Sequence, residues 1–335
     1  MGFGLLIASA GCREIQVTTT VSRDGSFERA IVVLSDSSGI GKIAFPMPDD
    51  DDTWSLAVAL NEESKEDEEG TSHIYTLTKQ FREAEDLNEE LSKYRTEKYQ
   101  ILSRVELTRR HRWFTTYITY SEIYESFFPY RIIPLSEYFT SEEIARLRES
   151  EEDEDLDGRM LEWQIRNMFE HLMEKMLEGS SQLNLVELTP EVLIAGKEEF
   201  FQALIPAADE SDREELTPLV LEIGRKVYRT EAIELLKPGI EEFDRDVLEY
   251  ETFYDKATDE TYKHTVVMPG LIYDSNSSEI QLNSVTWEFS PMQFSYADYE
   301  LWVESRVTNR TAVWISVILL VILVTVAVVV FLRRG

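Results

Sequence analysis

Ala312 to Leu332 form an unbroken run with no charged residue, no glycine and no proline. At about 1.5 Å per residue, a helix over this run reaches roughly 31 Å, the hydrocarbon thickness of a bilayer. A soluble chain of 335 residues seldom buries a helix that is apolar on every side. Trp314 suits a membrane interface at one end, and Arg333-Arg334 follow directly at the other. The sequence therefore predicts a single-pass membrane protein with a span at 312–332 and a short tail at 333–335. Arg333 and Arg334 favour a cytoplasmic tail, and Arg306 and Arg310 on the opposite flank reduce that asymmetry.

The other end reads Met1-Gly-Phe-Gly-Leu-Leu-Ile-Ala-Ser-Ala-Gly11-Cys12, a short apolar stretch, then small residues, then the one cysteine of the chain. Ala10-Gly11-Cys12 resembles the lipobox of bacterial lipoproteins, whose cysteine is lipidated after cleavage just before it. Ser9 stands where leucine is usual. The basic n-region of a secretory signal is missing and the apolar stretch is short; a start site further upstream would account for these last two. The resemblance implies that 1–12 is a signal-like segment and that Cys12 is a lipidation site. The plainer alternative is a buried first strand with an incidental cysteine. One cysteine permits neither an internal disulfide nor a cysteine-rich metal site. Two tethers on one membrane would make the intervening domain extracytoplasmic and the C-terminus cytoplasmic. So apolar a helix belongs in the cytoplasmic (inner) membrane of a bacterium, since outer membranes host barrels.

Between the ends the chain is rich enough to fold, with 43% hydrophobic and 11% aromatic residues. Its net charge of -31, from 64 acids against 33 bases, opposes nucleic-acid binding and favours cations. Solubility alone would explain the same surplus. Glu14 to Val21 alternates, Asp24-Gly25 supplies a turn, and Phe27 to Leu34 returns, which is a hairpin pattern. Trp54 to Leu60, His73 to Leu77, Gln100 to Leu107 and Phe114 to Tyr124 are further strand candidates. Phe81 to Arg95 reads as helix, and Asp49 to Asp52 and Asn61 to Gly70 read as charged loops.

From Ser136 to about Tyr254 the period becomes helical. Helices are expected from Ser141, over Arg159 to Glu178, from Thr189-Pro190 to about Leu204, over Asp212 to Tyr228, and over Glu231 to Tyr254 with an interruption at Pro238-Gly239. Tyr262 to Met268, Ile280 to Phe289 and Tyr299 to Val307 return to strand. The predicted class is α+β: an antiparallel or mixed sheet built from both strand blocks, a helical insertion, and one C-terminal transmembrane helix. The predicted boundaries are a β-rich part at 13–135, the helical insertion at 136–256 and a second β-rich part at 257–308. A single mixed sheet is expected, with two separate β units flanking a bundle as the alternative.

Three groups of side chains stand out as site candidates. Asp153, Asp155 and Asp157, followed by Gly158, resemble positions one, three, five and six of an EF-hand calcium loop, where alternate carboxylates converge on a hard cation. Gln164 replaces the bidentate glutamate at position twelve, which weakens calcium as a cofactor; an acidic linker is the plain reading. His171 and Glu174 lie one helical turn apart, a pairing that chance supplies in a Glu-rich helix. Arg109, Arg110 and Arg112, with His111 and Trp113, make the one basic cluster, expected at the turn between two strand candidates and suited, with Arg104, to an anionic headgroup or to an acidic surface of a partner or of this same chain; a solvated hairpin turn is the plain reading. No nucleophile elbow, phosphate loop or dinucleotide fingerprint occurs, so catalytic residues are unassigned and an enzyme is the less favoured reading.

The lipobox-like start, the Asp-Gly hairpin, the Trp-bearing strand near the C-terminus and the terminal span together resemble LppM-like bacterial envelope lipoproteins. That resemblance implies no enzyme. The expectation is a non-catalytic scaffold, sensor or interaction module in the cell envelope, with the lipid bilayer and another envelope protein as partners. The alternatives are a periplasmic hydrolase using two carboxylates on envelope polymers and a calcium-responsive module.

Overall fold

The computed structural model describes residues 13–35, 43–45, 53–60, 73–93, 98–148, 153–210 and 216–334. Cys12 and the two charged loops at 49–52 and 61–70 lie outside them. The fold is mixed α and β, with eleven strands and seven helices among the described residues. The chain divides into two compact units, Met1–Ser126 with Lys256–Gly335, and Phe127–Asp255.

The first unit opens on the predicted hairpin, β1 (Arg13–Val21) and β2 (Phe27–Ser35). Gly25 takes φ 93°, the left-handed region that favours glycine, and Asp24 Oδ1 accepts from the Ser26 amide and hydroxyl. β3 (Ser55–Leu60) and β4 (His73–Phe81) extend this sheet on one side. β7 (Glu260–Val267), β10 (Ser284–Phe289) and β9 (Glu279–Gln281) extend it on the other. The order is β3-β4-β2-β1-β7-β10-β9, with β1 parallel to β7 and the other pairs antiparallel. A second, antiparallel sheet has the order β5-β6-β11-β8, from β5 (Ser103–His111), β6 (Thr115–Tyr124), β11 (Tyr299–Thr308) and β8 (Leu271–Ser275).

Both strand blocks thus mix, but into two sheets rather than the single one expected. The reason is that β6 and β11 pair over ten residues and each carries its own inward face. Ile118, Tyr120, Glu122 and Tyr124 on β6, and Leu301, Val303, Ser305 and Val307 on β11, are all buried. A second apolar face needs a second cover, and the inner face of the seven-stranded sheet supplies it. Tyr124 packs edge-on against Phe289 at 5.1 Å, and Phe294 lies 5.4 Å away. Helix α1 (Ala84–Lys93) starts later than the sequence predicts, because Phe81 completes β4 and stacks on Phe27 at 5.4 Å. Asn88 then ties α1 to β5 by two 2.8 Å bonds with the backbone of Val105.

The backbone before β8 leaves no room for a side chain. Gly270, before β8, sits at φ 91°, and a Cβ there would lie 2.5 Å from the Arg306 carbonyl oxygen. Gly270→Ala is expected to cost about 2 kcal/mol and to loosen β8, because strain and clash add. Faster amide exchange over 271–275 with an unchanged first hairpin is the result to look for; unchanged exchange there refutes it.

The second unit is helical: α2 (Ser141–Arg148), α3 (Glu154–Leu183), α4 (Pro190–Glu210), α5 (Leu216–Tyr228), a 3-10 turn at Glu231–Leu236, and α6 (Lys237–Thr258). Local signals start and stop these helices. Thr140 caps α2 in a reciprocal box with Glu143. Pro190 opens α4 behind Thr189, whose Oγ1 accepts from the Val192 amide at 3.4 Å. Asn184 ends α3 at φ 50°. Trp163 is the anchor of this core, 5.1 Å from Phe128, with its indole donating to the Ile133 carbonyl at 3.0 Å.

The last element, α7 (Arg310–Arg334), continues from β11 after Asn309. Its apolar window has a mean hydropathy of 3.4, and none of it is buried against the rest of the chain.

Candidate functional site

Two assemblies in the first unit gather side chains whose chemistry exceeds packing. The first lies where the smaller sheet meets α7. Asn309 closes the last strand and caps the helix: its Oδ1 accepts from the Ala312 amide at 3.2 Å. Its own amide donates to the Phe114 carbonyl at 2.8 Å, which joins the β5–β6 turn to the start of the helix. Trp113 in that turn donates its indole N–H to Ser316 Oγ at 2.9 Å. Ser316 is six residues past Arg310, about 9 Å along the helix axis, so the turn lies beside the helix and not above it.

The basic cluster sits on this hairpin. The sequence pattern puts all of it in a turn; the structure puts Arg109, Arg110 and His111 in β5, and Arg112 with Trp113 in the turn. Alternation then separates the arginines. Arg109 donates to the Asp24 carbonyl and lies against Gly25, fastening the second sheet to the first hairpin. Arg110 faces outward, 3.5 Å from Glu304 and 5.1 Å above the Tyr117 ring. Tyr117 meets Tyr273 of β8 edge-on at 5.6 Å, and Leu271 at the start of β8 is exposed. The outer face of this sheet near α7 therefore carries two tyrosines and an Arg110–Glu304 pair.

The second assembly is fully buried between the sheets. Arg29 of β2 makes a bidentate pair with Glu122 of β6, both bonds at 2.9 Å. Tyr120 donates to Glu122 Oε2 at 2.6 Å, and His264 Nδ1 of β7 is 3.6 Å from the same oxygen. The two imidazole nitrogens of His264 also lie 3.3 Å from Thr19 Oγ1 and 3.3 Å from the Tyr124 hydroxyl. Burial pushes the Glu122 carboxyl up, but the Arg29 charge, His264 and the hydrogen bonds from Arg29 and Tyr120 together outweigh it and hold the group at about 2. Burial lowers His264 to about 4 against the attraction of Glu122, so its imidazole is neutral near pH 7. Arg29 Nε has no hydrogen-bond partner among the described residues. Alternation places Arg29 on the face of Phe27, Ile31 and Val33, and Glu122 on the face of Ile118, Tyr120 and Tyr124, so both charges are in inward phase; what consecutive residues do not show is that these two faces meet.

A further buried acid, Glu260, accepts from the amides of Ala44 and Phe45 at 2.6 and 3.2 Å and from Tyr262 at 2.7 Å. Burial raises its pKa against those bonds. It fastens the short 43–45 segment to β7.

The EF-hand-like aspartates are not gathered around a common point. Asp153 is the N-cap of α3, accepting from the amides of Asp155 and Leu156, and pairs with Arg146 at 2.5 Å. Asp155 and Asp157 lie in the first turn of that helix, where carboxylates favour the helix dipole, and Asp155 is 3.9 Å from Arg159. Gly158 is helical with open space beside it, not the pivot of a loop. Among the described residues no group of three or more His, Cys, Asp or Glu is placed to hold a metal ion. His171 pairs with Glu174 at 3.3 Å and packs 5.2 Å from the Tyr130 ring, a structural setting.

No protein-family model matches the chain, and no curated protein matches it. Among solved structures, the folded domain of the Mycobacterium tuberculosis LppM protein, determined by NMR, is similar at a TM-score of 0.30 and 10% identity. That match covers 93% of this chain and 99% of that one, and it is too distant to carry the fold or the site, which rest on the geometry above.

Proposed function

We propose that this chain is a single-pass protein of the bacterial cytoplasmic membrane whose folded part lies on the outer face and acts as a non-catalytic scaffold or sensor. The observation that carries the reading is the junction at Asn309, where a strand of a well-packed sheet becomes a helix with fully exposed apolar sides. Such a helix is stable only in lipid or under a large protein cover. The arginines after it favour a cytoplasmic tail. The acidic body suits contact with basic partner surfaces or cations and opposes nucleic acid. Lipidation of Cys12 is part of this proposal and would fix both ends to one leaflet system.

Two measurements test it. The full chain, with a tag after Gly335, should resist alkaline carbonate extraction, and in spheroplasts an external protease should remove the folded part while sparing the tag. Leu320→Arg, which places a charge at mid-span at a cost of about 3 kcal/mol, should reduce the membrane-inserted fraction. Release by carbonate, or a protected folded part with a digested tag, would sink the placement. A palmitate analogue should label the wild type and not Cys12→Ala. For the scaffold role, mild-detergent purification should yield a stoichiometric partner, and a monodisperse monomer counts against it.

A further inference from the structure

The turn between β5 and β6 is more exposed and more apolar than a turn needs to be. Trp113 is 60% exposed and Phe114 52%, and next to the same end of the sheet Leu271 is 65% exposed. Exposed turns ordinarily carry small polar residues. Here two adjacent aromatics stand between Arg112 and the helix. Their position relative to a bilayer is fixed by two bonds already given: the Asn309 amide to the Phe114 carbonyl, and the Trp113 indole to Ser316. Ser316 lies within the apolar run, so the indole bonded to it sits at the depth where headgroups give way to hydrocarbon. An indole with an apolar body and one N–H donor is suited to that depth.

Charge points the same way. The folded body of a chain whose net charge is -31 is repelled by an anionic leaflet within a Debye length. The cations Arg110, Arg112 and Arg310 are exposed around the hairpin and the helix start, where they meet phosphate level. We infer that the β5–β6 hairpin tip is a second membrane contact, with Trp113 and Phe114 seated in the outer leaflet interface and Arg110 and Arg112 on the phosphates of anionic phospholipids. The contact holds the smaller sheet against the bilayer instead of leaving it to swing on the helix. It rests on the reading that α7 crosses the membrane.

The test uses the full chain in nanodiscs of phosphatidylcholine alone, or with about one third phosphatidylglycerol, each containing lipids brominated near the glycerol end. Trp314 in the first turn of α7 serves as the internal reference. Wild type minus Trp113→Phe reports Trp113, and wild type minus Trp314→Phe reports the helix; both residues are exposed, so neither change disturbs the core. The expected result is quenching of both, with the Trp113 component rising when phosphatidylglycerol is present. Arg110→Gln with Arg112→Gln should lower the docked fraction's equilibrium about fivefold per arginine and leave Trp314 quenching unchanged. Quenching of Trp314 without Trp113 overturns the hairpin contact and leaves the span intact. Trp113 quenching that ignores phosphatidylglycerol and both arginines overturns the headgroup assignment. Loss of quenching at both tryptophans overturns the span as well.

Discussion

Glu122→Ala is expected to destabilise the two-sheet unit by about 3–5 kcal/mol, enough to abolish its cooperative unfolding transition near physiological temperature. The size follows from what is left behind and not from the worth of the pair. Arg29 is 1% exposed, and its bidentate partner is Glu122. Without it a guanidinium stays charged in a protein interior with no anion to answer it. Tyr120 also loses the acceptor of its 2.6 Å bond. Replacing both ions together, Arg29→Met with Glu122→Leu, should recover more than half of the loss, because a well-packed apolar pair costs no desolvation. A coupling of about 2 kcal/mol or more between the two sites, measured by chemical unfolding of the full chain in mild detergent, is the expected outcome. Additive losses would show that the pair does not join the sheets energetically.

Stability should also fall as pH drops from 6.5 to about 4, with His264 as a main cause. Its imidazole takes a proton at 6.5 in the unfolded chain but only at about 4 in the folded one, where burial opposes charge. Over that interval the unfolded chain binds more protons, so acid favours unfolding; the stabilisation is complete above 6.5 and lost as pH falls through 4. A gap of that size corresponds to about 3 kcal/mol. The groups around it are Glu122, Arg29, Tyr120 and Tyr124, with Thr19 and Trp287 beside the ring. Glu122, lowered to about 2, removes further stability between 4.5 and 2 by the same sign. Glu260, raised by burial, works in the opposite direction, so wild-type curves alone do not isolate His264. The stability difference between wild type and His264→Gln isolates it. That difference should shrink by about 3 kcal/mol from pH 7.5 to pH 4; parallel curves would exclude the imidazole as the source.

Elements whose physics is local are legible in consecutive residues. The hairpin at Asp24-Gly25, the helix opened by Thr189-Pro190 and the alternation of Phe114 to Tyr124 all appear close to where the residues place them. Boundaries differ where a side chain finds a distant neighbour. Phe81 joins β4 instead of the expected helix because Phe27 lies across from it. Asp153, Asp155 and Asp157 have loop-like spacing, yet they form a cap and a first turn. The basic cluster is visible as composition, but its split into a fastening Arg109 and an outward Arg110 requires strand register. Trp113 stands beside that cluster in the sequence; only its bond to Ser316, across 203 residues, gives it a depth.

The apolar run past Thr311 determined by itself that this chain has a helix fit for a bilayer, because hydrophobic length is a property of consecutive residues. Its alternations likewise determined that strands would come from both flanks of a helical block. Tertiary structure alone decided that those strands form two sheets, and that Arg29, Glu122 and His264 meet between them. Glu122 lies 93 residues from Arg29, and Tyr124 lies 140 from His264. Alternation gives the face on which a charge lies but not the partner it meets; only the packing of one sheet on the other brings Glu122 to Arg29, and each charge can stay buried because the other answers it.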